Sequence, residues 1–409
     1  MKPLAVFIND TRAGRLWQDE KQRFVFQYSA DYLNMPDSHP LSLSLPLQDR
    51  AFDPDAARPF FSNLLPEGHI RDMIAGIVQV SKKNDMALLE KIGEECAGAV
   101  SVLPEGIRPD AKGRYIPLSP EELDEMTALE PRPPLLVSRK ELRLSLAGAQ
   151  DKLPVFMKEN SFFLSSGNKP SSHIVKPQNR YFEDMVQNEA FCMMLAKAAG
   201  LSVPPVFIRK GTRNAIYIIE RYDRIRNQDG SVSRMHQEDF CQAMGLLSHQ
   251  KYQSEGGPGL ADCFDLIRKN SAQPLIDRKR LMEWVIFNFL IGNADAHAKN
   301  ISLLFHGRKV YLAPFYDLIS TLVYPDLLPR MSMKIGGENR FRFLQMRHWE
   351  RFAEAIDVKT GFLFSTAGKM AEKVKKESAK LAGQSVPQYG GKKVIEGICE
   401  IIAKNAAFF

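Results

Sequence analysis

A chain of 409 residues is longer than one hydrophobic core usually serves, so two or three lobes with a cleft between them are expected. With 44% hydrophobic and 25% charged residues the composition is that of an ordinary folded protein, no apolar run is long enough to span a membrane, and the N-terminal run meets Asp10 at once, as a first strand does and a signal peptide does not; a cytoplasmic location without membrane contact is expected. A net charge of +7 admits a nucleic-acid or acidic partner without requiring one, and the scattered Cys96, Cys192, Cys241, Cys263 and Cys399, with no Cys-x-x-Cys pair, argue for reduced thiols rather than a disulfide framework or a zinc site.

The first 130 residues mix short β-type runs with helical pieces, broken up later by Pro104, Pro109, Pro117 and Pro120. The stretch from Glu130 to Leu135, EPRPPL, reads as a linker because its prolines hold themselves and the residues before them extended. Strand-like runs follow at Leu142 to Leu146, Leu153 to Lys158, Ser161 to Leu164 and His173 to Lys176. A helix from Glu183 to Ala199 stops at Gly200, and two more strands lie around Val206 and from Ala215 to Arg221. Beyond Gln237 apolar residues at three- and four-residue spacing predict helices over Glu238 to Met244, Leu260 to Asn270 and Asp277 to Ile291. A strand pair, Ser302 to Phe305 and Val310 to Leu312, interrupts them, and the terminal third is helical again. The expected division is an N-terminal subdomain over 1–135, a nucleotide-binding small lobe over 136–223 and a helical catalytic lobe over 224–409.

The strongest chemical signal is IGNADAHAKNIS, from Ile291 to Ser302, followed after the strand pair by Phe315, Tyr316 and Asp317. Phosphoryl transfer from ATP needs a carboxylate at the attacking hydroxyl and oxygen ligands for Mg2+. Asp295 followed five residues later by Asn300 supplies both on one loop, and Asp317 completes the metal site. A polar loop in which Asp295 caps a turn and Asn300 bonds the backbone is the plainer alternative. His297 suits an orienting hydrogen bond better than metal ligation. Upstream, Lys176 ends a strand and Glu189 lies on the next helix, the order in which a kinase places its phosphate-binding lysine and the carboxylate that supports it. Small residues at Ala147, Gly148 and Ala149, with Gln150, Asp151 and Lys152, form a weak phosphate-loop signal without the Walker pattern; a glycine turn between strands explains them as well. Glu220, Arg221 and Tyr222 end the last small-lobe strand, where a hinge would offer backbone groups to adenine.

Taken together, the segments SLAGAQDK (145–152), HIVK (173–176), ERYDR (220–224), QEDFCQ (237–242), KYQSEGGPG (251–259), DAHAKN (295–300) and FYD (315–317) resemble the HipA family of bacterial serine/threonine kinases, the toxin halves of type II toxin–antitoxin modules. FFSNLLPEG, residues 60–68, resembles the N-terminal subdomain of the family's full-length form. The resemblance implies an α+β, bilobal, protein-kinase-like fold with a small β-rich lobe, an extra N-terminal subdomain and a mainly helical C-terminal lobe. It implies that Ala147 to Lys152 and Lys176 bind phosphate and that Glu220 to Tyr222 form the adenine hinge. It makes Asp295 the catalytic base, with His297, Ala298, Lys299, Asn300, Tyr316 and Asp317 at nucleotide or metal, and Ser145 a site of inactivating autophosphorylation. The implied partners are a helix-turn-helix antitoxin of the HipB type, operator DNA through that complex, and a protein substrate such as glutamyl-tRNA synthetase or another aminoacyl-tRNA synthetase.

Two other readings stay open on the residues alone: a kinase of a small-molecule or lipid acceptor, since the catalytic parts do not name the acceptor, and a DNA-bound corepressor using the fold as an interaction module. The lysines Lys369, Lys373, Lys375, Lys376 and Lys380 fit a solvated helix face better than a DNA contact. Asp317 is followed by Leu318 and Ile319, not by the Phe-Gly of ordinary protein kinases.

Overall fold

A computed structural model describes residues 2–109, 113–128, 134–135, 148, 150–211 and 214–409. Ser145, Ala147, Ala149, the strand expected from Leu142 to Leu146 and most of the expected linker lie outside the described residues.

The N-terminal unit is built on an antiparallel sheet of β1 (Leu4–Ile8), β2 (Thr11–Gln18), β3 (Phe24–Tyr28) and β4 (Val100–Pro104), in the order β3-β2-β1-β4. Between β3 and β4 run α1 (Ala30–Leu33), α2 (Pro54–Ser62), α3 (Gly68–Ile77) and α4 (Asp85–Ile92). Helix α2 starts where it does because the Asp53 carboxylate accepts the N–H groups of Asp55 and Ala56 and Pro54 needs no N–H partner. Its Phe60 and Phe61 are fully buried, with the Phe61 ring 5.3 Å from that of Phe26 on β3.

The second sheet has six antiparallel strands: β5 (Tyr115–Leu118), β6 (Leu153–Lys158), β7 (Ser161–Ser165), β8 (His173–Pro177), β9 (Val206–Lys210) and β10 (Ala215–Glu220), in the order β5-β7-β6-β8-β10-β9. Strand β5, followed by α5 (Pro120–Met126), lies before position 135, within the span expected for the N-terminal subdomain, yet it pairs with β7 as an edge of the small-lobe sheet. Packing continues across the expected boundary as well. Leu153, Val155, Val175, Ile216 and Ile218 share one buried cluster with the N-terminal sheet.

The two-residue period of β10 decides what lies on each side. Ile216 and Ile218 face the N-terminal core, whereas Tyr217 and Ile219 join the core formed with α6 (Met185–Ala199) and the helical lobe. Lys176 sits directly opposite Tyr217 in the β8–β10 register, so its side chain shares the Tyr217 face and enters the cleft side of the sheet.

The catalytic lobe contains β11 (Arg224–Arg226), β12 (Val232–Arg234), β13 (Gln237–Asp239), α7 (Phe240–Ala243), α8 (Leu260–Asn270), α9 (Pro274–Ile291), β14 (Ser302–His306), β15 (Lys309–Leu312), β16 (Arg330–Ile335), β17 (Glu338–Arg340), α10 (Met346–Ala355), α11 (Thr360–Tyr389) and α12 (Lys392–Ala406). Helix α9 is apolar nearly all round from Leu281 onward and correspondingly buried. The helix expected from Glu238 to Met244 is shorter than predicted: Gln237 to Asp239 pair with β14, and the Asp239 carboxylate then caps a single helical turn through the Gln242 N–H. Lys369, Lys373, Lys375, Lys376 and Lys380 are exposed on α11. Cys96, Cys192, Cys241 and Cys263 are buried free thiols and Cys399 is half-buried. No described helix is long and apolar enough to cross a membrane.

Polar contacts join the N-terminal unit to the catalytic lobe. Ser42 Oγ and the Leu43 N–H meet the two oxygens of Glu238, and Asn63 Nδ2 donates to Leu246 O at 2.8 Å. Burial, which the bonds from Ser42 and Leu43 only partly offset, pushes the Glu238 carboxyl up to about 8, from 4.5. The folded state therefore holds a proton that the unfolded chain has released, so this stabilisation is full below pH 4.5 and is lost as pH rises toward about 8. Glu238→Gln is expected to remove that slope, which amounts to at most about 1.4 kcal/mol per pH unit. Urea unfolding of both proteins at pH 5 and pH 8 measures it; equal pH dependence would show that Glu238 is ionised in the folded protein.

Candidate active site

Helix α9 stops at Gly292, whose φ of +69° suits glycine and whose position admits no side chain, since a Cβ would fall 2.8 Å from Ile401 and 2.9 Å from Leu322. The chain then turns tightly. The Asp295 N–H donates to Asn293 Oδ1 at 3.0 Å, the Ala294 N–H to Thr321 Oγ1 at 2.7 Å, and Asn300 Nδ2 back to Asp295 O at 3.0 Å. The last bond uses the Asn300 amide nitrogen, and the amide oxygen is the atom of this side chain that could serve as a hard ligand. Asp295 Oδ1 accepts a 2.9 Å bond from the Tyr252 hydroxyl. Burial raises the Asp295 carboxyl to about 6, while Tyr252 opposes that rise.

The hairpin β14–β15 brings the chain back to Asp317, held at φ +58°, an uncommon conformation for a non-glycine residue and one that marks a fixed side-chain direction. Lys176 Nζ lies 2.7 Å from Glu189 Oε1 on α6 and 2.9 Å from Asp317 Oδ1. Burial works against the Lys176 charge, but Asp317 and Glu189 outweigh it and raise its pKa; in turn Lys176 overcomes the burial of Asp317 and holds that carboxyl at about 2. Asp317 is still 40% exposed on its side chain, so one carboxylate oxygen can meet a ligand in the cleft. Asn300 and Asp317 thus fit Mg2+, which commonly takes one or two protein carboxylates together with substrate phosphates. Among the described residues no group of three or more His, Cys, Asp or Glu could hold a metal by itself.

Lys152 belongs to the same field: burial, then the nearby Lys176 charge, lower its pKa to about 8, and an arriving anion would relieve both effects. Gly148, at φ +111°, lies so close that a Cβ on it would be 2.8 Å from Lys152 Nζ. Gln150 and Asp151 follow it in the described chain, and the Leu135 N–H donates to Asp151 Oδ1 at 2.9 Å.

At the other end of β10 the Arg221 N–H donates to Ser172 O at 2.9 Å, and the Glu220 N–H to Pro205 O at 3.0 Å. The Tyr222 ring stacks on Tyr316 with 5.5 Å between centroids, and the Tyr316 hydroxyl donates to Lys299 O at 2.7 Å. The Arg221 side chain turns into a buried pair with Asp223. Lys299 also departs from the expected contact with nucleotide or metal. Its ammonium is buried among Asn63 Oδ1 (2.6 Å), Asp239 Oδ2 (2.8 Å) and Glu67 Oε1 (3.4 Å), and Ala298 beside it is fully buried. His297 Nδ1 is buried without a hydrogen-bond partner, and burial first, then Lys251, pushes the ring down to about 3, so it stays neutral.

The geometry therefore gathers Lys152, Lys176, Glu189, Asp295, His297, Asn300 and Asp317 at one cleft. Tyr252 and Lys251 join them without having been assigned a role in the sequence. The signal available for them was their place in KYQSEGGPG (251–259), one of the segments that carry the family resemblance.

Two family models cover the chain, the HipA N-terminal domain over residues 4–103 and the HipA-like C-terminal domain over residues 144–381. The chain belongs to the HipA family. It is 41% identical over 363 residues to the putative kinase Y4mE of Sinorhizobium fredii, covering 88% of this chain and 86% of that protein. Against the serine/threonine-protein kinase toxin HipA of Shewanella oneidensis it is 30% identical over 386 residues, 91% of this chain and 87% of the relative. The solved complex of Shewanella oneidensis HipA with HipB and operator DNA contains a chain of the same fold, with a TM-score of 0.86 and 26% identity over 99% of this chain and 97% of that one. At the level of the HipA family, this α+β, kinase-like chain is a serine/threonine kinase toxin.

Proposed function

We propose that this kinase transfers the γ-phosphate of ATP to a protein hydroxyl, with Asp295 as general base, Lys176 and Lys152 on the phosphates, and Asn300 and Asp317 holding Mg2+. Bound Mg2+ would neutralise phosphate charge; the protein's own part is to fix the nucleotide and to accept the proton of the attacking hydroxyl at Asp295. The observation that carries this reading is Lys176 Nζ bridging Glu189 at 2.7 Å and Asp317 at 2.9 Å, which joins the small lobe, its helix and the metal-side carboxylate in one contact. Asp295, raised to about 6, is ionised near neutral pH yet basic enough to take a proton.

By likeness to the HipA relatives we extend the reading to a growth-arresting toxin. It would act on a translation component such as glutamyl-tRNA synthetase and be countered by a helix-turn-helix antitoxin that brings it to operator DNA. Phosphate on Ser145, three residues before Gly148, would add about −1.5 to −2 charges next to a loop that must receive the phosphates of ATP, and so switch the kinase off. Expression without an antitoxin is expected to stop growth, and Lys176→Met, which removes the ammonium but keeps the chain length, to restore it. Viable counts after induction measure this. Equal arrest by both proteins would separate toxicity from phosphoryl transfer.

A further inference from the structure

Pro66 and Glu67, from the N-terminal unit, reach the floor of the nucleotide site. The Glu67 N–H donates to Gly148 O at 3.0 Å, and Pro66 bridges Gly148 in parallel, so the glycine expected to lie against phosphate is held by backbone from another unit. The Glu67 side chain is 13% exposed and carries two cations: Lys251 Nζ at 2.9 Å from Oε2 and Lys299 Nζ at 3.4 Å from Oε1. Lys251 precedes Tyr252, which bonds Asp295. Lys299 precedes Asn300, and its own carbonyl receives the Tyr316 hydroxyl. The Glu67 backbone thus holds Gly148, while its carboxylate holds Lys251, next to the Tyr252 that bonds Asp295, and Lys299, next to Asn300.

A carboxylate near bound phosphates would repel them unless its charge were matched locally. Two ammonium groups match it here: burial opposes ionisation, but Lys299 and Lys251 outweigh it and keep Glu67 charged. Asn63 on the same segment adds a 2.6 Å bond to Lys299, which fixes the segment at a second point.

We infer that Glu67 is a positioning residue of the kinase, anchoring the Pro66–Glu67 step between Lys251 and Lys299 so that its backbone holds Gly148 in place to receive the phosphates of ATP. The N-terminal unit is then part of the nucleotide site. This rests on the kinase reading above. Holding Gly148 acts on bound ATP in ground and transition state alike, so its loss falls on Kd and KM for ATP more than on kcat.

The test is a titration of full-length protein with fluorescent Mg-ATP, together with steady-state kinetics, for wild type, Glu67→Gln, Glu67→Ala, Lys251→Met and the double variant Glu67→Ala with Lys251→Met. Glu67→Ala is expected to raise Kd and KM for ATP about tenfold, the size of one charge-assisted anchor. Glu67→Gln, which keeps the shape and loses the charge, is expected between that and wild type. Adding Lys251→Met to Glu67→Ala should weaken binding by less than the sum of the single effects, because the two share one anchor. Unchanged ATP affinity in folded Glu67→Ala, a fall in kcat alone, or fully additive losses would each overturn the inference. Should Glu67→Ala fail to give a cooperative melt, Glu67→Gln decides by the same criteria. A wild type that binds no Mg-ATP overturns the kinase reading itself, and the wild-type titration shows this before any variant is compared.

Discussion

Asp295→Asn is expected to lower the rate of phosphoryl transfer by roughly 10² to 10⁴, the range of a lost general base, with little change in stability. The asparagine keeps the size of the side chain. The contacts that shape the loop, Asn300 Nδ2 to Asp295 O and the Asp295 N–H to Asn293, belong to the backbone of residue 295 and survive. Only the acceptor of the hydroxyl proton is lost. ATP affinity should stay near wild type, because Lys152 and Lys176 are untouched. Rates with Mg-ATP and the melting curve, measured on the same preparation, check this. A folded Asp295→Asn protein with full activity would mean that another group, or none, accepts the proton.

The second large effect is on stability and concerns the junction between the N-terminal unit and the segment that follows β10. Glu95, on the turn between α4 and β4, is 2% exposed. Its Oε1 accepts from Ser171 N–H at 3.1 Å, Ser171 Oγ at 2.8 Å and Arg224 Nη2 at 2.9 Å, with Arg221 Nη1 at 3.4 Å. Asp223 takes the other side of Arg221 bidentately, at 2.9 and 2.8 Å, and also accepts the Gly98 N–H at 2.8 Å. Burial works against the charge of Glu95, but Arg234, Arg221 and Arg224 bring it down to about 2. Glu95→Ala would leave those guanidinium groups buried with Asp223 as the one carboxylate of the cluster left among the described residues. The expected cost is about 3–5 kcal/mol, the range for breaking a buried ion pair by removing one partner. Urea unfolding should show a large drop in midpoint for Glu95→Ala and a smaller one for Glu95→Gln, which retains an acceptor oxygen. A midpoint equal to wild type would show that the cluster does not hold the N-terminal unit to residues 221–224.

Local chemistry was legible in the sequence and long-range pairing was not. The step from Asp295 to Asn300, the return to Asp317 and the order of Lys176 before Glu189 follow from spacing, because each pair lies within one turn, one hairpin or one strand–helix unit. Strand and helix periods likewise gave Leu153 to Lys158 and Leu260 to Asn270 as they stand in the structure. Other contacts leave no periodic trace. Glu67 meets Lys251 from 184 positions away, and Ser42 meets Glu238 from 196 away. Lys299 looked available for a ligand because nothing nearby in the chain announces Asn63 or Glu67 as its partners. Glu238 and Asp239 were read into a helix because a three-residue strand beside a capping aspartate is too short for its own period to show. Strand β5 lies within the span expected for the N-terminal subdomain, and its pairing with β7, beyond the proline-rich stretch that marked a boundary, leaves no local signal either.

Phosphoryl transfer from ATP at the cleft of Lys176, Asp295 and Asp317 is open to a direct test. The most direct measurement is the transfer of label from γ-labelled Mg-ATP to protein, with purified wild type and Asp295→Asn incubated side by side in a cell extract. A labelled acceptor protein is expected with wild type, and at most about a hundredth of that label with Asp295→Asn. Equal labelling by the two proteins, or no labelling by a folded wild type, would contradict it.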